Sequence, residues 1–518
     1  MKLVSEPSID IKIRRMQERV RWQHDQIRQQ GIDQTRLSIQ GAGDAGDEFS
    51  FLVLGDSGTG RHRSSSPQRQ VAQQMMAHGQ DARFVIHTGD VVYLVGSSEQ
   101  YRENFIKPYR EWLVGGEAHK QIAYDRMTFK MPFFPVLGNH DYYDLPKLVG
   151  FLAGITGPLR YALRSYVDID VGWHGSRQGD AYARAFLDYL QGVPERRLDE
   201  HLDEHYPQSP AGDRCLTYQP GHYTRLPNRY YTFRYGGIDF FALDSNTFNH
   251  PLPVAASDNP EASRQRLQTE RHQLEAQKAK LLQRLSVAAI GSTNADERED
   301  CTGQIEEIDE AIYDIDKQLS NDSQSTVDRE QLDWLRDRLI ASWQDANVRG
   351  RILFFHHPPY VTEATKWRQG QTLAIRHHLR QVLDAVLVEV ADMTQGQPLL
   401  NLVLCGHAHC LEYLETLDTG HGDAHIPWVV CGGSGYSLRR QRAAGAELTE
   451  RVDGEEKTVA SSRLFVGRSG KGSTLKRPYS GLRIDVGGGT PLKLSITPVV
   501  AEKLPDKWYP HTLKTIEL

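Results

Sequence analysis

Short apolar runs rich in β-branched and aromatic residues recur along the chain, at 51–54, 84–86, 133–137, 230–243, 352–355, 399–404 and 428–430. Their brevity and continuity predict buried strands, and several lead directly into turns rich in glycine or histidine. Gly236 and Gly237 divide the run TFRYGGIDFFAL, which predicts an antiparallel hairpin, and GLRIDVGGGTPLKLSITPV predicts another near the C-terminus. Helical periodicity at 68–76 and 331–340 falls between strands. The expected class is therefore α/β with a substantial antiparallel component.

Two stretches exceed what such a framework needs. Residues from about 145 to 228 read as a loop-rich, mixed insertion, and those from about 262 to 325 as a strongly charged helical one. In the second, Leu267, Leu274 and Leu281 recur at heptad spacing, while Ile305, Ile308, Ile312, Ile315 and Leu319 alternate steps of three and four. With 291–296 as the turn, this predicts an antiparallel helical hairpin. Its roles are a solvated protrusion, a dimerisation arm or a lid, with protrusion and homodimer contact favoured equally. Residues 1–48 read as an N-terminal helical extension to a domain spanning 49–518.

Composition narrows the partners. At 518 residues the chain is longer than one core usually serves, so a second domain or insertions are expected. The net charge of -6 argues against general nucleic-acid affinity, although local basic clusters can still grip a phosphate. Five cysteines without CxxC spacing suit neither a disulfide framework nor a thiolate zinc site, and are expected as free thiols. The first 31 residues lack the apolar core of a signal peptide, so with Met1 as the start a cytoplasmic location is expected. The most apolar later stretch, 148–163, is broken by Gly150, Gly154, Gly157, Pro158 and Arg160, so no membrane span is expected.

The chemistry concentrates in five turns at strand ends: GDSG at Gly55, GDVVY at Gly89, GNHD at Gly138, the His356-His357 pair, and GHAH at Gly406. Strand ends hold side chains rigidly, and open α/β sheets bind ligands along this edge. Carboxylate with imidazole suits zinc, iron or manganese in an open, catalytic site. Two such ions roughly 3.5–4 Å apart would activate water and neutralise charge on a phosphoryl group. One carboxylate must then touch both, and Asp90 is the best candidate. Any one of these turns alone is usually a plain turn, and Tyr93 alone is usually core. All five together point to a dimetal centre.

In this order the five turns resemble those of the calcineurin-like metallophosphoesterase superfamily, over the framework from about residue 49 to the C-terminus but not over the insertions. Asp56 followed by Ser57-Gly58, with Tyr93 three residues after Asp90, resembles the purple acid phosphatase branch. The resemblance implies a four-layer α/β/β/α sandwich of two mixed β-sheets. It implies one metal held by Asp56, Asp90, Tyr93 and His409, and a second by Asp90, Asn139, His356 and His407. It also implies iron with zinc or manganese, two divalent ions being the alternative, and a small phosphoester as substrate. His140 is expected beside the substrate phosphate, His357 as a second proton donor or phosphate contact, and Asp141 as the group orienting His140.

Phosphomonoester hydrolysis is the preferred reading. A phosphodiesterase or nucleotide hydrolase would use the same clamp, because pocket shape sets selectivity. A serine/threonine protein phosphatase fits less well, since Tyr93-Leu94 stands where that branch has Asp-Arg and Leu137 where it has arginine. A scaffold that recruits partners through the hairpin is the non-enzymatic alternative. Lesser candidates are Arg61, His62 and Arg63 for an anionic group, Asp244 and His250 as supports of the site, and the turn Gly432 to Tyr436 as pocket lining.

Overall fold

Alternation along the central strands separates two apolar layers. Phe240, Ile352, Phe354, Leu402, Leu404 and Val429 point to one side, and Phe241, Leu353, Val403, Cys405, Trp428 and Val430 to the other. A strand with both faces apolar must be covered on both, and here it is. The computed structural model describes residues 4–518 except 45, 60–65, 146–174, 209–212, 257–258, 291–294, 321–325, 453, 471–473 and 505–506. Arg61, His62 and Arg63, the stretch 148–163 and most of the expected hairpin turn lie outside the described residues.

The strands, in chain order, are β1 (Ile32–Ile39), β2 (Phe49–Leu54), β3 (Val85–His87), β4 (Phe133–Pro135), β5 (Arg214–Tyr218), β6 (Tyr231–Tyr235), β7 (Ile238–Ala242), β8 (Gly350–Phe354) and β9 (Leu402–Cys405). They continue as β10 (Leu411–Thr416), β11 (Pro427–Cys431), β12 (Glu447–Val452), β13 (Glu455–Val466), β14 (Arg477–Val486), β15 (Leu494–Lys503), β16 (Trp508–Thr512) and β17 (Ile516–Glu517). One sheet has the order β12-β13-β10-β11-β9-β8-β7-β6-β1-β5, and the other β16-β15-β14-β2-β3-β4, with β17 on β15. Both are mixed. β2, β3 and β4 run parallel, as do β7, β8, β9 and β11, whereas the expected hairpins β6–β7 and β14–β15 are antiparallel.

The sheets meet through aromatic contacts: Phe134 lies 4.2 Å from Phe233, and Phe51 5.7 Å from Phe240, between ring centroids. Each such buried ring contributes roughly 1.5–3 kcal/mol. The main helices are α1 (Ile9–Arg19), α2 (Asp25–Gln29), α3 (Pro67–His78), α4 (Asp180–Phe186), α5 (Leu198–His205), α6 (Pro260–Ile290), α7 (Ala295–Ser320), α8 (Arg329–Gln344) and α9 (Gly370–Thr394). Met75 of α3 packs at Gly481 outside the smaller sheet. Leu335 and Leu339 of α8, with Ile375 and Leu379 of α9, cover the outer face of the larger one. This gives the α/β/β/α order of layers. No helix among the described residues is long and apolar enough to cross a membrane.

Three expectations change. The first 48 residues are not helical throughout, because β1 pairs in parallel with both β5 and β6 inside the larger sheet. Its pattern of partial alternation lies directly behind two helices. The strand expected at 399–404 begins only at Leu402. The helices α6 and α7 pack antiparallel, as the pairs Arg271–Asp316 and Lys278–Asp309 require, with Leu267 against Ile315 and Leu281 against Ile308. This pair is not a solvated protrusion throughout, because α6 is largely exposed but α7 packs on the body of the protein. Asp314 accepts from the backbone N–H groups of Gly370 and Gln371 at 2.6 and 3.0 Å, capping α9, and Lys317 meets Glu6 at 2.5 Å.

Candidate active site

The five turns gather at one edge because their strands run parallel and end together. Asp56 follows β2, Asp90 follows β3, Asn139 and His140 follow β4, His356 follows β8 and His407 follows β9. Asp56, Asp90 and His407 have φ of 53, 53 and 65°, a left-handed conformation that costs about 1–3 kcal/mol for such residues. The turns are also too tight for larger residues. A Cβ on Gly138 would lie 2.1 Å from Asp90 Oδ1, and one on Gly406 2.6 Å from Asp56 Oδ2.

The Tyr93 hydroxyl joins the first cluster. It lies 3.0 Å from Asp56 Oδ1, 2.8 Å from Asp90 Oδ2 and 3.2 Å from His409 Nε2. His356 Nε2 is 3.4 Å from Asp90 Oδ2 and 3.1 Å from Asn139 Oδ1. Potential ligand atoms of Asp56, Asp90 and His356 all fall within 4.8 Å of one another, as do those of His356, His357 and His407. His407 joins through its backbone N–H, which donates to Asp56 Oδ2 at 2.9 Å, and through ring contact with His356 at 5.0 Å.

Outer partners aim these groups. His356 Nδ1 donates to the Thr88 carbonyl at 2.8 Å and His409 Nδ1 to the Ser437 carbonyl at 3.1 Å, which turns both Nε2 atoms inward. Asn139 Nδ2 donates to the Tyr143 hydroxyl at 2.9 Å and so directs its amide oxygen at His356. Tyr436 stacks on Tyr93 at 4.3 Å, so the turn Gly432 to Tyr436 lines the site as expected. Asp244 accepts from Tyr142 at 2.7 Å beneath it.

Buried carboxylates at this spacing strain one another. Burial and Asp90 push the Asp56 carboxyl well above the carboxylate range, while His356 and His140 hold Asp90 below it despite its burial. Burial opposes charge on His356, but Asp90 and Asp56 outweigh it and carry the imidazole up to about 9. In the bare protein, the His356 proton neutralises the pair. A cation would relieve the same repulsion, and the donor set of carboxylate, imidazole, amide and phenol oxygen fits one.

Asp141 and His357 are engaged differently from the orienting and proton-donating roles expected of them. Asp141 does not orient His140: its carboxylate accepts from the backbone N–H groups of Val91 and Gly138 at 3.1 and 2.9 Å, tying two of the turns together. His140 is instead held by donation from Nδ1 to the Leu94 carbonyl at 2.5 Å. His357 is held against the charged form that a second proton donor would use. Burial and His356 keep it neutral, with Ser245 Oγ 2.8 Å from Nδ1 and Asn249 Nδ2 3.2 Å from Nε2. Sequence reasoning also missed Lys366 and Gln371, whose Nζ and Nε2 donate to His407 Nε2 at 3.1 and 2.9 Å. Neither belongs to a motif.

Residues 49–254 match the family model for calcineurin-like phosphoesterases. Among solved structures, the chain is similar to GAP50, the anchor in the inner membrane complex of Plasmodium, with 12% identity and a TM-score of 0.36 over 90% of this chain and 89% of that one. It is similar to the purple acid phosphatase PPD1 from yellow lupin (Lupinus luteus) seeds, with 11% identity and a TM-score of 0.41 over 92% of this chain and 55% of that one. It is similar to PhoD with 12% identity and a TM-score of 0.41 over 92% of this chain and 72% of that one. No curated protein sequence matches the chain.

Proposed function

We propose that this chain, whose residues 49–254 match the family model for calcineurin-like phosphoesterases, is a phosphatase acting on small phosphomonoesters with two bound metal ions. The observation that carries this reading is the convergence of Asp56, Asp90, Tyr93, Asn139, His356 and His409 on one buried point, with His407 alongside. Asp56, Asp90, Tyr93 and His409 would hold one ion, and Asp90, Asn139, His356 and His407 the other. Iron with zinc or manganese suits a phenolate, carboxylate and imidazole set, and two divalent ions are the alternative. When bound, such a pair supplies an activated water and neutralises charge on the phosphoryl group.

The protein's own groups do the rest. The carbonyls of Thr88 and Ser437 fix His356 and His409, and Asp141 locks the turns that carry Asp90 and Asn139. His140, tethered at Nδ1, presents Nε2 4.0 Å from Asp90 Oδ2 and delivers a proton to the departing alkoxide. The test compares turnover of p-nitrophenyl phosphate with that of its bis ester, before and after chelation. Chelator-sensitive hydrolysis that favours the monoester supports the reading; a metal-loaded protein inert toward both esters contradicts it.

A further inference from the structure

Beside His407 and His409 lie two cations that the phosphatase reading leaves unused. The side chains of Lys366 and Arg439 are only 4% and 2% exposed. Burying such charges is costly unless each is paired, and the direct partners here come from the helical insertion, with the buried Glu363 also acting on both. Glu310 of α7 receives Lys366 Nζ at 2.9 Å on one carboxylate oxygen and Arg439 Nη2 at 3.4 Å on the other. Arg439 Nη1 also donates to the Gly303 carbonyl at 2.6 Å and lies 3.3 Å from Glu307. The Glu310 side chain is itself 38% exposed.

This bridge spans the GHAH turn. Lys366 donates to His407, and the backbone N–H of Arg439 donates to the His409 carbonyl at 2.9 Å. The charges of Arg439 and Lys366 both act on His409, so the two cations lie beside the histidines that the phosphatase reading assigns to different metals. Ammonium beside guanidinium is a phosphate-binding pair, and a carboxylate is the nearest thing to a phosphate that a protein can place there from its own chain.

Resting on the proposed phosphoesterase reading, we infer that Lys366 and Arg439 bind the phosphoryl oxyanion of the substrate, and that Glu310 of the helical insertion occupies their site until the substrate displaces it. Glu310 reaches the pair from the helical insertion and stays partly open to solvent, and although Lys366 and Arg439 hold its carboxyl well below the usual range despite burial, a phosphoryl group carries more charge to compete for the same pair. The insertion then sets the affinity for phosphate.

Binding of inorganic phosphate to the metal-loaded full chain, followed by calorimetry at low salt, tests this. Glu310→Gln should tighten phosphate about fivefold by removing the competitor, and Lys366→Met should weaken it about tenfold. Lys366→Arg should recover most of that loss. Glu275→Gln, on α6 and paired with Arg271, should change nothing, which separates local competition from general charge. Circular dichroism checks that each variant is folded, and Glu310→Gln, at a half-exposed position, stands as a test even if Lys366→Met does not fold. A Glu310→Gln protein within about twofold of wild type overturns the inference, as does undetectable phosphate binding by wild type. If the binding pattern holds but no phosphoester is turned over, the phosphatase reading fails and the anion site stands.

Discussion

Replacing His140 with alanine separates proton delivery from metal binding. The ring is held by donation from Nδ1 to the Leu94 carbonyl at 2.5 Å and by contact with Tyr93 at 4.3 Å, and its side chain is 17% exposed. Losing the hydrogen bond costs about 1 kcal/mol and losing the ring contact about 1 more, so the variant should melt a few degrees lower and still fold. Nε2 lies 4.0 Å from Asp90, outside the cluster that Tyr93 joins, so metal content should stay at the wild-type level. Turnover should fall by about 10²–10⁴ for an alkyl phosphate, whose alkoxide needs a proton to leave. For p-nitrophenyl phosphate, whose phenolate leaves unaided, the loss should be about tenfold or less. Steady-state rates on both esters, with metal analysis of the same samples, measure all of this. Equal losses on the two esters, or loss of metal, refute the assignment.

Asp90→Asn should empty the site, since Asp90 is the one carboxylate assigned to both ions, and metal analysis after dialysis should find less than one ion per chain, accompanied by loss of activity. Tyr93→Phe should bleach any visible absorption of an iron-loaded protein, because the colour would arise from a phenolate on ferric ion; an iron-loaded variant that keeps the wild-type band contradicts that ligand. The pH dependence of the metal-free protein follows from His356, raised from 6.5 to about 9 by Asp90 and Asp56 against its burial. Its contribution to stability is complete below pH 6.5 and lost as pH rises through 9. Thermal unfolding in chelator should decline over that window, and His356→Asn should flatten the decline.

The residues of the candidate site were legible because each sits in a turn whose composition is set by chemistry: a left-handed Asp56 or Asp90, a glycine at Gly138 or Gly406 against which a carboxylate packs, a histidine at the strand end. Local sequence carries all of that. The central strands β2, β3, β4, β6 to β9 and β11 were legible from their apolar runs and the β14–β15 hairpin from its glycines, whereas β5, β10, β12, β13, β16 and β17 carry shorter or mixed patterns and were not expected. What failed depends on distance. Asp141 adjoins His140 in sequence, yet its carboxylate serves Val91, 50 residues away. His357 adjoins His356, yet Ser245 and Asn249 engage both its ring nitrogens from another strand end. Glu310, Lys366 and Arg439 stand far apart in ordinary surroundings, and only the packing of α7 onto the loop before α9 joins them. Strand β1 hid behind a helical stretch because its pairing partners, β5 and β6, come much later in the chain.

The most direct measurement is anomalous diffraction from crystals of the protein grown with its metals. Two peaks within bonding distance of Asp90, one also reaching Asp56, Tyr93 and His409 and the other Asn139, His356 and His407, are what the account predicts. A single peak bound by one half of that set, or none in fully active protein, contradicts it.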